Sequence, residues 1–297
     1  MVSKLTDPLI TVFLPTNGRA DVIGAAIQSI LAQDFDDFEL MVVGDGCDDD
    51  TEKVVTAFGD GRIRWLSFPK GPGPGYSVRN LALQQARGAI VAFAQHDDLM
   101  FPDHLRLIVN AMQRDSAMWA YTRPVWVDDS GLMLPFFVNL SLPSQRQDFM
   151  RHRNVIPSNC VAVRRTALDA VEGFNEKMAR GGDWDLWKQV FRKFGAGSVG
   201  VVRQVTGLHF RARWKDGDQT WGPQPLPYLA GLAMTSGDWP ALLRHDLKAE
   251  DGAPQLQLAA MLQENPAQFC ARIRAGVTQV QDALAWGASH DPLNRAG

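Results

Sequence analysis

The segment FAQHDDLMFPDHL, from Phe93 to Leu105, ends an apolar run in two adjacent carboxylates, Asp97 and Asp98. Two neighbouring anions repel each other, and a strand end that needed only to stop could use Gly, Asn or Ser at no such cost. Carboxylate oxygens are hard ligands for Mg²⁺ or Mn²⁺, and a divalent cation would remove the repulsion. One of the two could instead cap the helix that follows. Asp45, in the segment GDG, stands between flexible residues where a backbone can approach a ligand closely. The acids just beyond it, Asp48 to Asp50, fit better as a helix cap that complements the helix dipole than as catalytic groups.

These residues need a scaffold, and the first hundred positions alternate two periodicities that supply one. LITVFLP reads as a strand, Ile23, Ala26, Ile27 and Ile30 as a helix face, FELMVVG as a strand, and DDDTEKVVTAF as a short helix. IRWLSFP, YSVRNLALQQA and AIVAFA continue the beat as strand, helix, strand. Strands that are apolar throughout belong to a parallel sheet covered on both faces, so the chain begins as a doubly wound α/β fold. Ligands of such sheets bind outside the carboxyl ends of the strands. Three polar segments fall there: PTNGR (Pro15 to Arg19), GDGCDDD (Gly44 to Asp50) and QHDD (Gln95 to Asp98).

Beyond Asp98 the pattern predicts a helix with Pro102 near its first turn and Leu105, Ile108, Val109 and Met112 on one face. Two strands around the turn DDSG follow between Met118 and Val138, then a strand at NCVAVRR. A helix over GGDWDLWKQVFRKFG carries Trp184, Trp187 and Phe191 at helical spacing. The stretch from Val127 to Asn154 is expected to wall one side of the site at the strand ends, with NLSLPSQRQDF as a flexible lid. The glycine run KGPGPGYSVRN fits neither phosphate-loop pattern, and its prolines lack amide donors; it reads as a flexible turn delivering Arg79. GPQPLPY (Gly222 to Tyr228) reads as a linker, and Phe269, Ile273, Val277, Val280 and Leu284 beyond it as a helical stripe packed on the preceding domain.

Composition limits the partners. The 297 residues are 45% hydrophobic, enough for one large core or two modest ones. Thirty basic against 33 acidic residues give a net charge of −3, which argues against nucleic acid as the main partner. Three scattered cysteines, Cys47, Cys160 and Cys270, suggest neither disulfides nor a zinc site and fit a reducing cytoplasm. No run is long and apolar enough for a transmembrane segment, and LITVFLP is too short for a signal peptide.

The ordered segments TVFLPTNGRADVIGAAIQSILAQ, FELMVVGDGCDDDT, GPGYSVRNLALQQARGAIVAFAQHDDLMFPDHL and DWDLWKQV resemble the family 2 glycosyltransferases, which share the nucleotide-sugar-binding GT-A fold. The resemblance covers about residues 8–210. It implies a GT-A domain over 1–221, with a nucleotide-sugar half at about 1–115 and an acceptor half at about 116–221, followed by a helical C-terminal extension over 222–297. It also implies an inverting transfer from a nucleoside diphosphate sugar to a hydroxyl of a glycan or lipid-linked acceptor, in polysaccharide or glycoconjugate synthesis. The cofactor implied is a divalent cation, Mn²⁺ or Mg²⁺. Habitual settings of the family place such a chain in the cytoplasm or peripherally at the inner face of the membrane, and the C-terminal helices offer a surface for a homodimer.

Carried over residue by residue, the resemblance gives Asp45 contact with the nucleotide base and puts Thr16 and Arg79 in the nucleotide pocket. The metal-binding D-x-D falls on Gln95, His96 and Asp97, followed by Asp98. Its first acid is here Gln95, an amide able to bond a ribose hydroxyl or a metal-bound water, so metal binding would rest on Asp97 with Asp98 beside it. Gly44 and Gly182 also stand where the family often has acids. Asp183 matches the general base, with a helix N-cap as its structural alternative, and Asp185 would contact acceptor or solvent. His209 would complete the metal shell or serve as a structural hydrogen-bonder, and Arg211 and Arg213 would clamp the diphosphate or stand as surface charges. Alternatives to this reading are a nucleotidyltransferase and a non-catalytic nucleotide-sugar- or glycan-binding module.

Overall fold

A computed structural model describes residues 7–113, 116–152, 154–210 and 239–290, the last eight by backbone only. The expected alternation is present as β1 (Ile10–Thr16), α1 (Ile23–Leu31), β2 (Phe38–Asp45), α2 (Asp49–Thr56), β3 (Ile63–Phe68), α3 (Tyr76–Leu83) and β4 (Ile90–Phe93). The chain continues as β5 (Leu99–Met100), α4 (His104–Met112), β6 (Trp119–Arg123), β7 (Val125–Val127) and β8 (Met133–Pro135). Then come α5 (Pro143–Arg151), β9 (Val161–Arg164), α6 (Arg165–Ala170), α7 (Gly182–Phe194), β10 (Val199–Val205) and β11 (Gly207–Phe210). Two helices, α8 (Pro254–Glu264) and α9 (Pro266–His290), end the described chain.

The main sheet has the order β10-β6-β9-β4-β1-β2-β3. Among its described strands β9 alone runs against its neighbours. Both faces are buried, which explains the continuously apolar strands. Phe13, Met41, Val91 and Phe93 face a core shared with Trp119, Trp187 and the helices α3, α6 and α7. Val12, Leu14, Leu40 and Val42 face the opposite core, with Ile23, Ile27 and Ile30 of α1 and Leu105, Ile108 and Met112 of α4.

Of a smaller sheet, β5-β11-β7-β8, the β7–β8 hairpin is the expected pair of strands around DDSG, whereas β5 and β11 have no counterpart among the expected elements. Its strands are two to four residues long, below the length at which periodicity is legible. It rests on a third core formed with α8 and α9, where Phe269, Ile273, Val277 and Val280 are buried against Leu99, Phe101 and Leu208. The C-terminal stripe therefore packs on the preceding domain as its spacing suggested; Leu284, its last member, lies outside the described side chains, as do all of Gly222 to Tyr228. Arg274 of α9 fastens this layer, donating to both Asp103 oxygens (2.7 and 2.9 Å) and to the Val205 carbonyl.

The tract NLSLPSQRQDF is not a loose lid. Pro143 opens α5, Phe149 is buried in the core, and the Phe149 carbonyl accepts from Trp184 Nε1 at 2.8 Å. A buried aromatic one turn from the helix end gives this polar segment the tertiary support that its composition lacks.

Candidate active site

The carboxyl ends of β1, β2 and β4 open onto one cleft of about 1040 Å³. Thr16, Asp45, Arg79, His96 and Asp97 line it together. Parallel pairing, Thr16 opposite Gly44 and Phe13 opposite Phe93, brings these strand ends to one level. Cys47 laces the first two loops by accepting from Gly18 N–H (3.3 Å) and donating to the Thr16 carbonyl (3.5 Å). Its thiol is held above its ordinary pKa, chiefly by burial, which makes it a structural link and not a nucleophile.

Asp97 is 5% exposed and makes no hydrogen bond to any described residue. The side-chain nitrogens nearest to it, Arg19 Nη1 and His96 Nε2, stand 3.9 and 4.0 Å away. Burial first, and then the Asp98 charge, raise its pKa above the ordinary carboxylate value. A buried carboxylate that faces a cleft without hydrogen-bond donors, next to a second acid, suits a divalent cation. Thr16 Oγ1 and His96 Nδ1 are likewise buried without partners among the described residues. Burial lowers the His96 pKa, so its ring is neutral near pH 7.

Asp98 is differently employed. The antiparallel register of β11 and β5 sets Leu208 opposite Leu99 and so brings His209 across from Asp98. Its carboxylate lies 2.9 and 3.1 Å from His209 Nδ1 and accepts from Phe210 N–H at 3.0 Å. Neither Asp97 nor Asp98 caps α4, which starts at Asp103 without a side-chain cap. With Nδ1 turned to Asp98, the His209 ring leaves Nε2 as its other face, and Trp126 packs edge-on against it at 4.5 Å. No group of three or more His, Cys, Asp or Glu is arranged to hold a metal among the described residues. Asp97 therefore fits as the direct protein ligand of an ion completed by substrate oxygens and water, the habit of Mg²⁺-type sites. Asp98 fits as the group that orients His209.

Asp45 is already engaged. Lys70 Nζ donates to its Oδ2 at 2.7 Å, and Gly71 N–H donates to Oδ1 at 2.6 Å. The glycine turn thus closes over Asp45, and Gly75, at φ 75°, caps α3 against the same carboxylate. Arg79 lies in the first turns of α3, the helix expected over YSVRNLALQQA, directly after the glycine turn.

Asp183 is not an N-cap: Gly181 holds that position at φ 66°, and the Asp183 side chain bonds elsewhere. Its Oδ1 accepts from Arg79 Nη1 (3.1 Å) and its Oδ2 from Ser158 Oγ (2.6 Å). Arg79 lines the cleft, so this ion pair stands at its border. The two departures at glycine have one cause: a Cβ on Gly44 would run into the Trp65 ring, and a Cβ on Gly182 into the Tyr76 ring. Tyr76 also accepts from Gly182 N–H at 2.8 Å, pinning the start of α7 to α3.

Gln95, Asp98, Asp183, Asp185 and His209 are not among the residues that line the cleft. The Gln95 carbonyl accepts from Asp98 N–H, and Asp185 accepts from Gln189 on its own helix. Arg211 and Arg213 lie outside the described residues. Four participants carried no clear signal in the sequence. Ser158 and Lys70 reveal themselves only by contact, and Arg19 sits inside PTNGR beside stronger candidates. The fourth is a wall of the cleft supplied by the C-terminal segment, including Leu247, Lys248 and Gln255. That wall is braced where Gln257 bonds the backbone of Lys248 and Gly252, and where His245 N–H donates to Gly131.

A mainly parallel twisted sheet with a cleft at its strand ends and a second small sheet beside it is the GT-A fold. A family model for glycosyl transferase family 2 matches residues 11–171, and the chain belongs to that family. An uncharacterised glycosyltransferase of Rickettsia bellii is 26% identical over 77% of this chain and 32% of its own length. The Escherichia coli UDP-Glc:α-D-GlcNAc-diphosphoundecaprenol β-1,3-glucosyltransferase WfgD is 30% identical over 39% of this chain and 46% of its own. The chain thus spans about a third to a half of the length of these relatives. Among solved structures, the mannosyltransferase PcManGT of Pyrobaculum calidifontis, in complex with GDP-Man and Mn²⁺, superposes with a TM-score of 0.54 at 18% identity, covering 97% of this chain and 77% of that one. At that identity the likeness concerns the fold. Among the described residues no helix is long and apolar enough to cross a membrane.

Proposed function

We propose that this chain is an inverting glycosyltransferase that moves a sugar from a nucleoside diphosphate sugar to an acceptor hydroxyl in polysaccharide or glycoconjugate synthesis. The observation that carries this reading is Asp97, a buried carboxylate without a donor that lines the cleft, together with Asp183, held beside the cleft by Ser158 and by the cleft-lining Arg79. WfgD supports the donor and acceptor classes, because its name specifies a sugar nucleotide and a diphosphate-linked lipid acceptor.

In this reading the donor lies across the ends of β1, β2 and β4, with Thr16 and the Asp45–Lys70 pair around the nucleoside. A divalent cation held by Asp97 would offset the diphosphate charge that grows on leaving. Arg79 and Arg19 add positive charge from the protein. Asp183 takes the proton from the acceptor hydroxyl as its oxygen bonds the anomeric carbon. The bond from that carbon to the diphosphate breaks on the opposite face, and the nucleoside diphosphate departs.

The test is transfer and slow hydrolysis with UDP-, GDP- and dTDP-sugars, each with Mn²⁺ and with chelator. Release of one nucleoside diphosphate, lost in Asp183→Asn while nucleotide binding persists, supports the transferase. Nucleotide-sugar binding without any turnover would favour the binding module instead.

A further inference from the structure

A second cavity, of about 360 Å³, lies at the carboxyl ends of β6 and β10 and shares no lining residue with the large cleft. Arg123, Arg203 and Arg274 all line it, and no acidic residue among the described ones does. Arg274 is neutralised by Asp103 behind it. Arg123 and Arg203 have no such partner among the described residues. Arg123 donates to the neutral Gln281 Oε1 (2.9 Å) and stacks over the Phe137 ring at 4.8 Å. Its pKa is held below the ordinary value, first by burial and then by the Arg203 charge. The two guanidiniums therefore repel each other while one of them is partly desolvated, an arrangement that costs stability unless something anionic offsets it.

The backbone contributes a second, independent sign. β10 pairs with β6 in regular parallel register up to Val202 opposite Thr122, and then Val205, not Arg203, faces Arg123. Arg203 and Gln204 are thus the extra residues of a bulge on an edge strand of the main sheet. Bulges of this kind bend the strand and re-aim side chains, and here the bulged residues are those that line the cavity.

We propose that Arg123 and Arg203 form a binding site for a phosphate group, separate from the large cleft. Two guanidinium forks match the oxygens of a phosphate or diphosphate and would bind it with charge-assisted hydrogen bonds. The cavity is large enough for such a group with part of what carries it. The phosphate can belong to a soluble molecule or to a lipid headgroup; the chemistry recognised is the same.

Calorimetric titration of sodium pyrophosphate into the full chain tests this, using wild type, Arg203→Gln, Arg123→Gln and Arg79→Ala. Arg203 is exposed, so its replacement leaves the core intact even if Arg123→Gln lowers stability. The expected result is a binding event that weakens roughly tenfold or more in Arg203→Gln and persists in Arg79→Ala. Flotation with vesicles of phosphatidylcholine, with or without phosphatidylglycerol, separates the sources. Retention on phosphatidylglycerol that Arg203→Gln abolishes assigns the site to a headgroup, and pyrophosphate binding without retention assigns it to a soluble phosphate. Pyrophosphate binding that Arg79→Ala abolishes and Arg203→Gln leaves intact would overturn the proposal, as would the absence of both pyrophosphate binding and vesicle retention.

Discussion

Arg79 Nη1 donates to Asp183 Oδ1 at 3.1 Å, joining α3 to the first turn of α7 across 104 positions of sequence. Ser158 occupies the other Asp183 oxygen, so two elements fix one carboxylate. If Asp183 is the base, Asp183→Asn lowers kcat by about 10²- to 10⁴-fold and leaves nucleotide affinity unchanged. Ser158→Ala, which removes aim and not the proton acceptor, costs roughly three- to tenfold in kcat. Steady-state kinetics with parallel calorimetry checks both, and near-full activity in Asp183→Asn would remove it from the base role.

Asp97 and Asp98 are neighbours with different employment, one facing the cleft without donors and one committed to His209 and Phe210. Their substitutions should therefore separate. Asp97→Ala abolishes the enhancement of nucleotide binding by Mn²⁺ without a large loss of thermal stability. Asp98→Asn weakens metal affinity about 10- to 100-fold through His209 and also lowers Tm, because it disturbs a buried, fully bonded carboxylate. Calorimetry with and without Mn²⁺, beside thermal melts, reads the two effects. Equal behaviour of the two variants would show that the pair acts as one group.

Much of this was legible before the fold was known, for identifiable reasons. Long elements with a strong period, such as β1, β2, α1 and α7, announce themselves because each buries a regular face. The cleft residues Thr16, Asp45, His96 and Asp97 fall in segments that were legible because strand ends converge in a parallel sheet, while Arg79, on α3, was placed by the family resemblance. What stayed hidden depends on contacts between distant segments. No pattern within PSNC says that Ser158 will meet Asp183, and none in KGPGPGY says that Lys70 will fold back onto Asp45. In the second sheet the turn DDSG announced the β7–β8 hairpin, but β5 and β11 are too short for a period, and it is their pairing which sets His209 against Asp98.

The Tyr76 ring accounts for glycine at position 182, and this can be measured without any substrate. A Cβ at 182 meets the ring, so Gly182→Ala should destabilise the fold by about 1–3 kcal/mol, as overpacking does. Shortening the ring in Tyr76→Ala opens the space, and in that background Gly182→Ala, or even Gly182→Glu, should cost far less. A double-mutant cycle from denaturant unfolding should give a coupling of about 1 kcal/mol or more. Additive costs would place the demand for glycine in the backbone of the α7 cap instead.

His104 makes stability depend on pH. It is fully buried at the start of α4, with Nδ1 2.8 Å from Thr206 Oγ1, and burial takes its pKa from the ordinary 6.5 down to about 4. The unfolded chain gains its proton near the ordinary value, whereas the folded chain resists it until much lower pH. The neutral ring therefore contributes its full stability above about pH 6.5, and that contribution drains away as the pH falls toward 4, by about 3 kcal/mol. His245, also lowered to about 4 by burial, adds a slope of the same sign. Unfolding followed from pH 7.5 to 4.5 should show stability falling with acidity in wild type and falling less steeply in His104→Asn, where His245 and the carboxylates supply what remains. Identical slopes in the two proteins would mean that His104 takes up its proton equally readily in the folded and unfolded chains.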